Sequence, residues 1–383
     1  MLRRNILLFV FLSFFSLVAK KNSVCPTDVD VDLPIVSMIF CGDVMGHMPQ
    51  VNAAYNSSDD SYDYNPCFAQ IIPYIQRADI AVANLEVPLA EKPYSGYPRF
   101  SSPDELLDAL QHAGYDVILT ANNHVVDKGA KGLKRTIEQI DQRQLMRAGS
   151  YLDSLDRNDN CPLIIERKGL KIALLNTTYG TNGIAVPSPA LVNLIDTAQI
   201  RNDIKKAKDE VADFIVMCIH WGVEYELKAN KEQQAIAQFL ADEGVHLIIG
   251  SHPHVVQNVE ILYGKDSVEV PVYYSLGNAV SNQRWEHSNG GIMVSVDIHS
   301  FTKKIVQGSY LPVYVHKGKL HEKYQYHLIA TPDYLENPAY YNLSTKDSTE
   351  LVSFDVQTRE RIEKENNRYV RLLNRIDEKT TSH

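Results

Sequence analysis

From residue 35 onward, apolar runs of strand length alternate with amphipathic stretches of helix length. The first run, Ile35 to Cys41, breaks at Gly42-Asp43. Residues 52–66 are rich in Asn, Ser, Asp and Tyr and read as a loop, with a helix over about 66–77. A second strand, Ile80 to Ala83, ends in Asn84-Leu85-Glu86. Ser102 to Glu105 has the spacing of a capping box with Pro103 at the first helical position, and Gly114 closes that helix. The third strand, Asp116 to Thr120, ends in Asn122-Asn123-His124, and a helix follows over about 130–143.

The second half repeats the design. A strand over Lys171–Thr177 leads into a Gly/Pro-rich loop reaching about 189, then a charged helix over about 197–210. The strand Asp213–Ile219 ends in His220-Trp221-Gly222. Asn230 and Gln233 open a further helix, which Gly244 ends. The apolar run from Leu247 stops at Gly250 and then shows His252 and His254. Side chains two apart on extended backbone point the same way, so this spacing predicts both imidazoles facing one metal cluster. Pro253 has no backbone donor and ends the sheet ladder there. Strands follow over 271–276, 291–298 and 309–315, and a charged, exposed helix from about 350. Strand and helix in alternation predict a layered α/β domain.

Composition adds limits. A chain of 383 residues with 44% hydrophobic positions can bury a full core. Before that core, Arg3 and Arg4 precede an apolar run from Ile6 to Val18, then Ala19. This is the pattern of a secretory signal peptide over 1–19, cleaved near Ala19, with an uncleaved anchor as the alternative. It predicts export to the periplasm or cell envelope, with a linker over 20–34, a main domain over 35–325 and a C-terminal extension over 326–383 ending in the charged helix. The cysteines at 25, 41, 67, 161 and 218 are odd in number and show no CxxC spacing, so no disulfide framework or thiolate zinc site is expected. Net charge is −9 with no basic stripe, which argues against nucleic acid as a partner.

In parallel α/β sheets, ligands gather at the carboxyl ends of the strands. Asp43, Glu86, Asn123, His220 and the His252/His254 pair all stand at such ends. Each alone has a plainer reading. Asp43 can be a turn residue, Asn122-Asn123 a helix entry, Glu86 solvated, and His220 a satisfied core histidine. Together they hold two carboxylates, one amide and three imidazoles, more than one divalent ion needs. The set suits two ions with a carboxylate bridging them, and Mn, Zn, Fe and Mg are all compatible. Two ions roughly 3.5–4 Å apart can activate a water and clamp an in-line displacement at phosphorus. His124 then stands just outside them, placed to protonate a leaving oxygen, with Asp127 to orient its imidazole. His47, His112, His246 and His287 read as structural or surface residues. Glu224 reads equally as a pocket or a loop residue.

The ordered series Gly42-Asp43, Asn84-Leu85-Glu86, Ala121-Asn122-Asn123-His124, His220-Trp221-Gly222-Val223-Glu224-Tyr225, Gly250-Ser251-His252-Pro253-His254 and Ser275-Leu276-Gly277-Asn278 resembles the CapA, or poly-γ-glutamate capsule biosynthesis, family. That family is similar in fold to the calcineurin-like metallophosphoesterases. The resemblance covers about 36 to 283 and implies a four-layer α/β/β/α sandwich with metals at the strand ends. It implies Asp43, Glu86, Asn123, His220, His252 and His254 as metal ligands and His124 as the catalytic histidine. It also implies an anionic polymer or phosphoester substrate and membrane-bound synthesis or export partners. Three positions depart from the general metallophosphoesterase pattern. Met45 stands where Asp-x-His would put a histidine, Asn84-Leu85-Glu86 replaces Gly-Asp, and Val125 replaces an acid after His124. The number and spacing of the metals therefore do not follow from the resemblance. Two readings stand: an exported metal-dependent hydrolase acting on an anionic envelope polymer or a phosphoester, and a non-catalytic envelope factor that grips polymer carboxylates through the metals.

Overall fold

The computed structural model describes residues 34–320, 323–364 and 367–373. The leader, most of the linker and Cys25 lie outside the described residues. In chain order the main elements are β1 (Ile35–Val44), α1 (Met48–Ala54), β2 (Ile80–Leu85), α2 (Glu105–Ala113), β3 (Val117–Leu119), α3 (Gly129–Gln142), β4 (Met146–Ala148), β5 (Leu163–Arg167), β6 (Leu170–Thr178) and α4 (Thr197–Asp209). Then come β7 (Phe214–His220), α5 (Lys231–Asp242), β8 (Leu247–Ser251), β9 (Val259–Tyr263), β10 (Glu269–Tyr273), β11 (Asn278–Val280), β12 (Gly290–His299), β13 (Lys304–Leu320), β14 (Lys323–Ala330), α6 (Thr345–Glu363) and β15 (Arg371–Leu372).

Two sheets carry the domain. One runs β14-β13-β12-β1-β2-β3-β4, with β11 also on β1 and β15 on β13. The other runs β9-β10-β8-β7-β6-β5. Period-two alternation assigns each strand residue to a layer. In β1, Val36, Met38 and Phe40 enter the core between the sheets, where Val216, Cys218 and Ile249 of the second sheet meet them. Ile39 and Cys41 of the same strand face the opposite way, into a cluster with Leu106, Leu107 and Leu110 of α2. Ile215, Met217 and Ile219 of β7 pack outward on Ile200 and Ile204 of α4 and Leu240 of α5. These three clusters are the interfaces between the layers of a four-layer α/β/β/α sandwich. The strands are buried on both faces, which explains why they read as continuous apolar runs.

Several local expectations change. The segment over 52–66 is no plain loop: it holds the end of α1 and a short pairing of Tyr55–Asn56 with Ser61–Tyr62. The helix expected over about 66–77 is two short turns, Asn65–Phe68 and Ile72–Ile75. Ser102 does not cap α2, because the N-cap is Asp104 and its carboxylate is taken by Arg135 at 2.5 and 2.6 Å. Asn230 and Gln233 do form the capping box of α5. The C-terminal helix α6 is not simply exposed. Leu351 and Phe354 pack on Tyr314 and Ile329, and Ile362 reaches the core between the sheets. Cys41, Cys67, Cys161 and Cys218 are buried free thiols. No helix among the described residues is long and apolar enough to cross a membrane.

Candidate metal centre

The carboxyl ends of β1, β2 and β3 in one sheet meet those of β6, β7 and β8 in the other. Register fixes which residues arrive together. Asp43 lies beside Asn84 across β1 and β2, and His220 lies beside both Ser251 and Thr178. The β1–β2 register shifts between Phe40 and Asp43, an irregularity of the kind that re-aims a side chain. Gly42 permits it: a Cβ there would lie 1.9 Å from the Gly277 carbonyl oxygen. The Asp43 amide instead donates to that oxygen at 2.9 Å.

The ligand-type side chains form two triads that share one residue. Glu86, His220 and His252 offer ligand atoms within 4.8 Å of one another, as do Asp43, Glu86 and His254. Glu86 Oε1 is 3.4 Å from His220 Nε2 and 3.8 Å from His254 Nε2. His254 Nδ1 is 3.1 Å from Asp43 Oδ2. That contact is close but lacks hydrogen-bond direction, and Nδ1 has no hydrogen-bond partner. The two sheets are tied across the site by the His252 amide, which donates to Asp43 Oδ2 at 3.3 Å.

His252 and His254 converge on the site, but not by the route the extended spacing suggested. Their φ angles are 99° and 58°, so both occupy the left-handed region and the backbone turns after β8. One imidazole therefore joins each triad, and their ring centroids stand 6.1 Å apart. Asn123 also arrives: its Oδ1 lies 2.9 Å from His220 Nε2. Behind that ring, His220 Nδ1 is 2.9 Å from the Ser251 hydroxyl. When Nδ1–H donates to Ser251, Nε2 and Asn123 Oδ1 present two lone pairs to one point. That arrangement calls for a cation, or for a proton in its place.

The electrostatics fit the same group. Asp43, Glu86 and His220 have no solvent exposure. Neither carboxylate oxygen of Glu86 has a hydrogen-bond partner, and neither does His252 Nδ1. Burial, and then the charge on Asp43, push the Glu86 carboxyl well above its ordinary value. Burial, and then neighbouring imidazoles, hold His220 well below its ordinary value and His252 down to about 3. Neutral imidazoles and orphaned carboxylate oxygens at zero exposure are what a divalent ion requires, and its charge would offset the cost of burying the carboxylates. The donor set therefore fits divalent metal.

His124 stands beside this cluster. Its Nδ1 is 2.8 Å from Asp127 Oδ2, which also accepts from the Phe100 amide at 2.8 Å. Its backbone amide donates to Asn122 Oδ1 at 3.1 Å, so Asn122 shapes the turn and is not itself in either triad. A cleft of about 380 Å³ opens onto His124 and His254 and is lined also by His47 and Glu224. Elsewhere, His246 is a structural residue whose Nδ1 accepts from the Ile215 amide at 3.0 Å.

Some site residues escaped the sequence reading. Asn84 donates from Nδ2 to Asp43 Oδ1 at 2.8 Å and steers that carboxylate. Tyr179 lies over His252 with centroids 4.5 Å apart. Its signal was positional: it directly follows β6, whose last residue pairs with His220. Tyr97, Phe100 and Trp285 line the cleft from loops, where no periodic pattern marks them.

The profile of the family described as "Bacterial capsule synthesis protein PGA_cap" matches residues 37–283. The chain is 29% identical over 274 residues to the Capsule biosynthesis protein CapA of Bacillus anthracis, spanning 68% of this chain and 63% of that protein. It is 26% identical over 294 residues to the PGA biosynthesis protein CapA of Bacillus subtilis, spanning 74% and 73%. Among solved structures, it is similar to a phosphatase from Mycoplasma pneumoniae at 18% identity, covering 79% of this chain and 97% of that one, with a TM-score of 0.44.

Proposed function

The chain belongs to the bacterial capsule synthesis protein (PGA_cap) family, and from that premise we propose that it is an exported, metal-dependent hydrolase of capsule biosynthesis. It acts at a phosphoester or on an anionic envelope polymer such as poly-γ-glutamate. One observation carries the reading: Glu86 is fully buried, its oxygens lack donors, and it is common to two ligand triads. An ionised carboxylate buried without donors is costly, and a cation at that point would offset the cost.

Asp43, Glu86 and His254 would hold one divalent ion, and Glu86, His220 and His252 a second, with Asn123 beside His220. Bound ions supply an activated water and neutralise charge developing on the reacting group. The chain's own residues do the rest. Asp127 fixes the His124 tautomer by accepting a hydrogen bond from Nδ1–H, which leaves Nε2 to serve the cleft. A protonated Nε2 donates to the leaving oxygen, and the Asp127 carboxylate stabilises the imidazolium. Each triad has three protein ligands, which leaves coordination positions for water and substrate.

One observation favours the non-catalytic reading. Met45, buried at 1% exposure, stands where a further histidine would complete the Asp43 site. A weakly held ion there would grip carboxylates without turning them over. The full protein, loaded with manganese, zinc or magnesium, is assayed on phosphoesters and on poly-γ-glutamate. Turnover that is lost in Asp43→Ala and His124→Ala supports the hydrolase. Metal-dependent polymer binding with no turnover on either substrate class establishes the other reading.

A further inference from the structure

The cleft beside the metal triads is walled by aromatic rings. Tyr97 is 79% exposed and Trp285 66% exposed, both unusual for rings of that size. Tyr225 links them to the metal centre, 6.3 Å from Trp285 on one side and 6.3 Å from His254 on the other. The floor is Phe100, edge-on to His124 at 4.7 Å. The polar groups on the wall are as telling. Glu224 brings a carboxylate, and Gln283 brings an amide whose Oε1 already accepts from Asn278 at 2.9 Å, which leaves its NH₂ as a donor. None of the described residues lining the cleft is Lys or Arg.

A polyanion leaving the metal centre through this cleft would meet the Glu224 carboxylate and no Lys or Arg among the described lining residues. The walls instead match a neutral ring with one apolar face and an edge of neighbouring hydroxyls. Aromatic faces stack on such a ring, and planar carboxylate and amide groups pair with vicinal hydroxyls. We propose that the cleft is a glycosyl subsite that seats one hexopyranose ring between Tyr97 and Trp285, with Glu224 and Gln283 on its hydroxyls. The proposal rests on the metal-centre reading for what happens to the group attached to that sugar, but not for the seating of the ring itself.

Binding of two phosphate-free disaccharides, cellobiose and maltose, to the full protein is measured by calorimetry beside tri-γ-glutamate and adenosine. Saturable binding of a disaccharide is expected, weakened about tenfold in Trp285→Ala and recovered in Trp285→Phe. Trp285 is largely exposed, so its replacement leaves the core untouched. Tri-γ-glutamate should bind more weakly, and Glu224→Gln should improve its binding while weakening that of the disaccharide. No disaccharide binding, or tighter binding of tri-γ-glutamate or adenosine, overturns the proposal. A second arm compares hydrolysis of glucose 1-phosphate and glycerol 1-phosphate. A preference of about tenfold for the sugar ester is expected, collapsing toward parity in Trp285→Ala. If neither ester is hydrolysed, the phosphoester branch of the hydrolase reading fails while the calorimetry still decides the subsite.

Discussion

The same strands build two regions on opposite rules. Between the sheets, Val36, Met38 and Phe40 of β1 meet Val216 and Ile249 in a core built mainly of aliphatic and aromatic side chains. A few residues further along those strands, Asp43, Glu86 and His220 are just as buried, yet Glu86 has no hydrogen-bond donor on either oxygen. The apolar region gains free energy by leaving water, at roughly 25 cal/mol per Å². The polar edge loses it for the same step, because unpaired polar groups forgo their hydration. The difference separates what holds the fold from what the fold holds. Substitutions in the first region should cost stability, and substitutions in the second should cost chemistry.

The largest expected effect lies at the edge. His124→Ala should lower turnover by about 10²- to 10⁴-fold while the melting temperature stays near that of the parent, as measured by steady-state kinetics beside calorimetry. Next comes its counterpart in the core. Phe40→Ala should cost about 3–5 kcal/mol in denaturant unfolding with metal content per folded chain unchanged. Loss of metal without loss of stability in that variant would erase the contrast between the regions. Asp127→Asn keeps the shape but releases the His124 tautomer, and should lower turnover by about 10- to 100-fold. Its pH–rate profile should shift, which a purely structural role would not produce.

The smallest effect concerns pH. Burial, and then the nearby Lys208 charge, lower His246 from 6.5 to about 4. A depressed folded value means the neutral form is favoured by folding. That stability is complete above pH 6.5 and drains away as pH falls toward about 4. His246→Leu should flatten this acid limb in urea titrations at several pH values. It should also cost about 1 kcal/mol at neutral pH, because the Ile215 amide loses its acceptor.

How much of this was legible depends on what each residue neighbours in sequence. Asp43, Glu86, Asn123 and His220 could be found because each closes an apolar run, and strand ends collect at one edge of an α/β sheet. His252 and His254 were found on a mistaken geometry: their left-handed φ angles arise only where the chain turns between the two sheets. Tyr97, Tyr179 and Trp285 sit on loops, where placement comes from tertiary packing and no periodicity records it. The burial of α6 was missed because its charged residues dominate the reading, although Leu351 and Phe354 lie three apart on one face. Strand β14 escaped because its partner β13 is itself near the end of the sheet, so nothing upstream announces it.

Anomalous diffraction at the manganese edge, from crystals of the manganese-loaded protein, addresses the shared carboxylate directly. Two peaks are expected on either side of Glu86, one in contact with Asp43 and His254, the other with His220 and His252. A map with no peak within bonding distance of Glu86, or with manganese bound only elsewhere on the protein, would contradict the assignment of this edge as a metal centre.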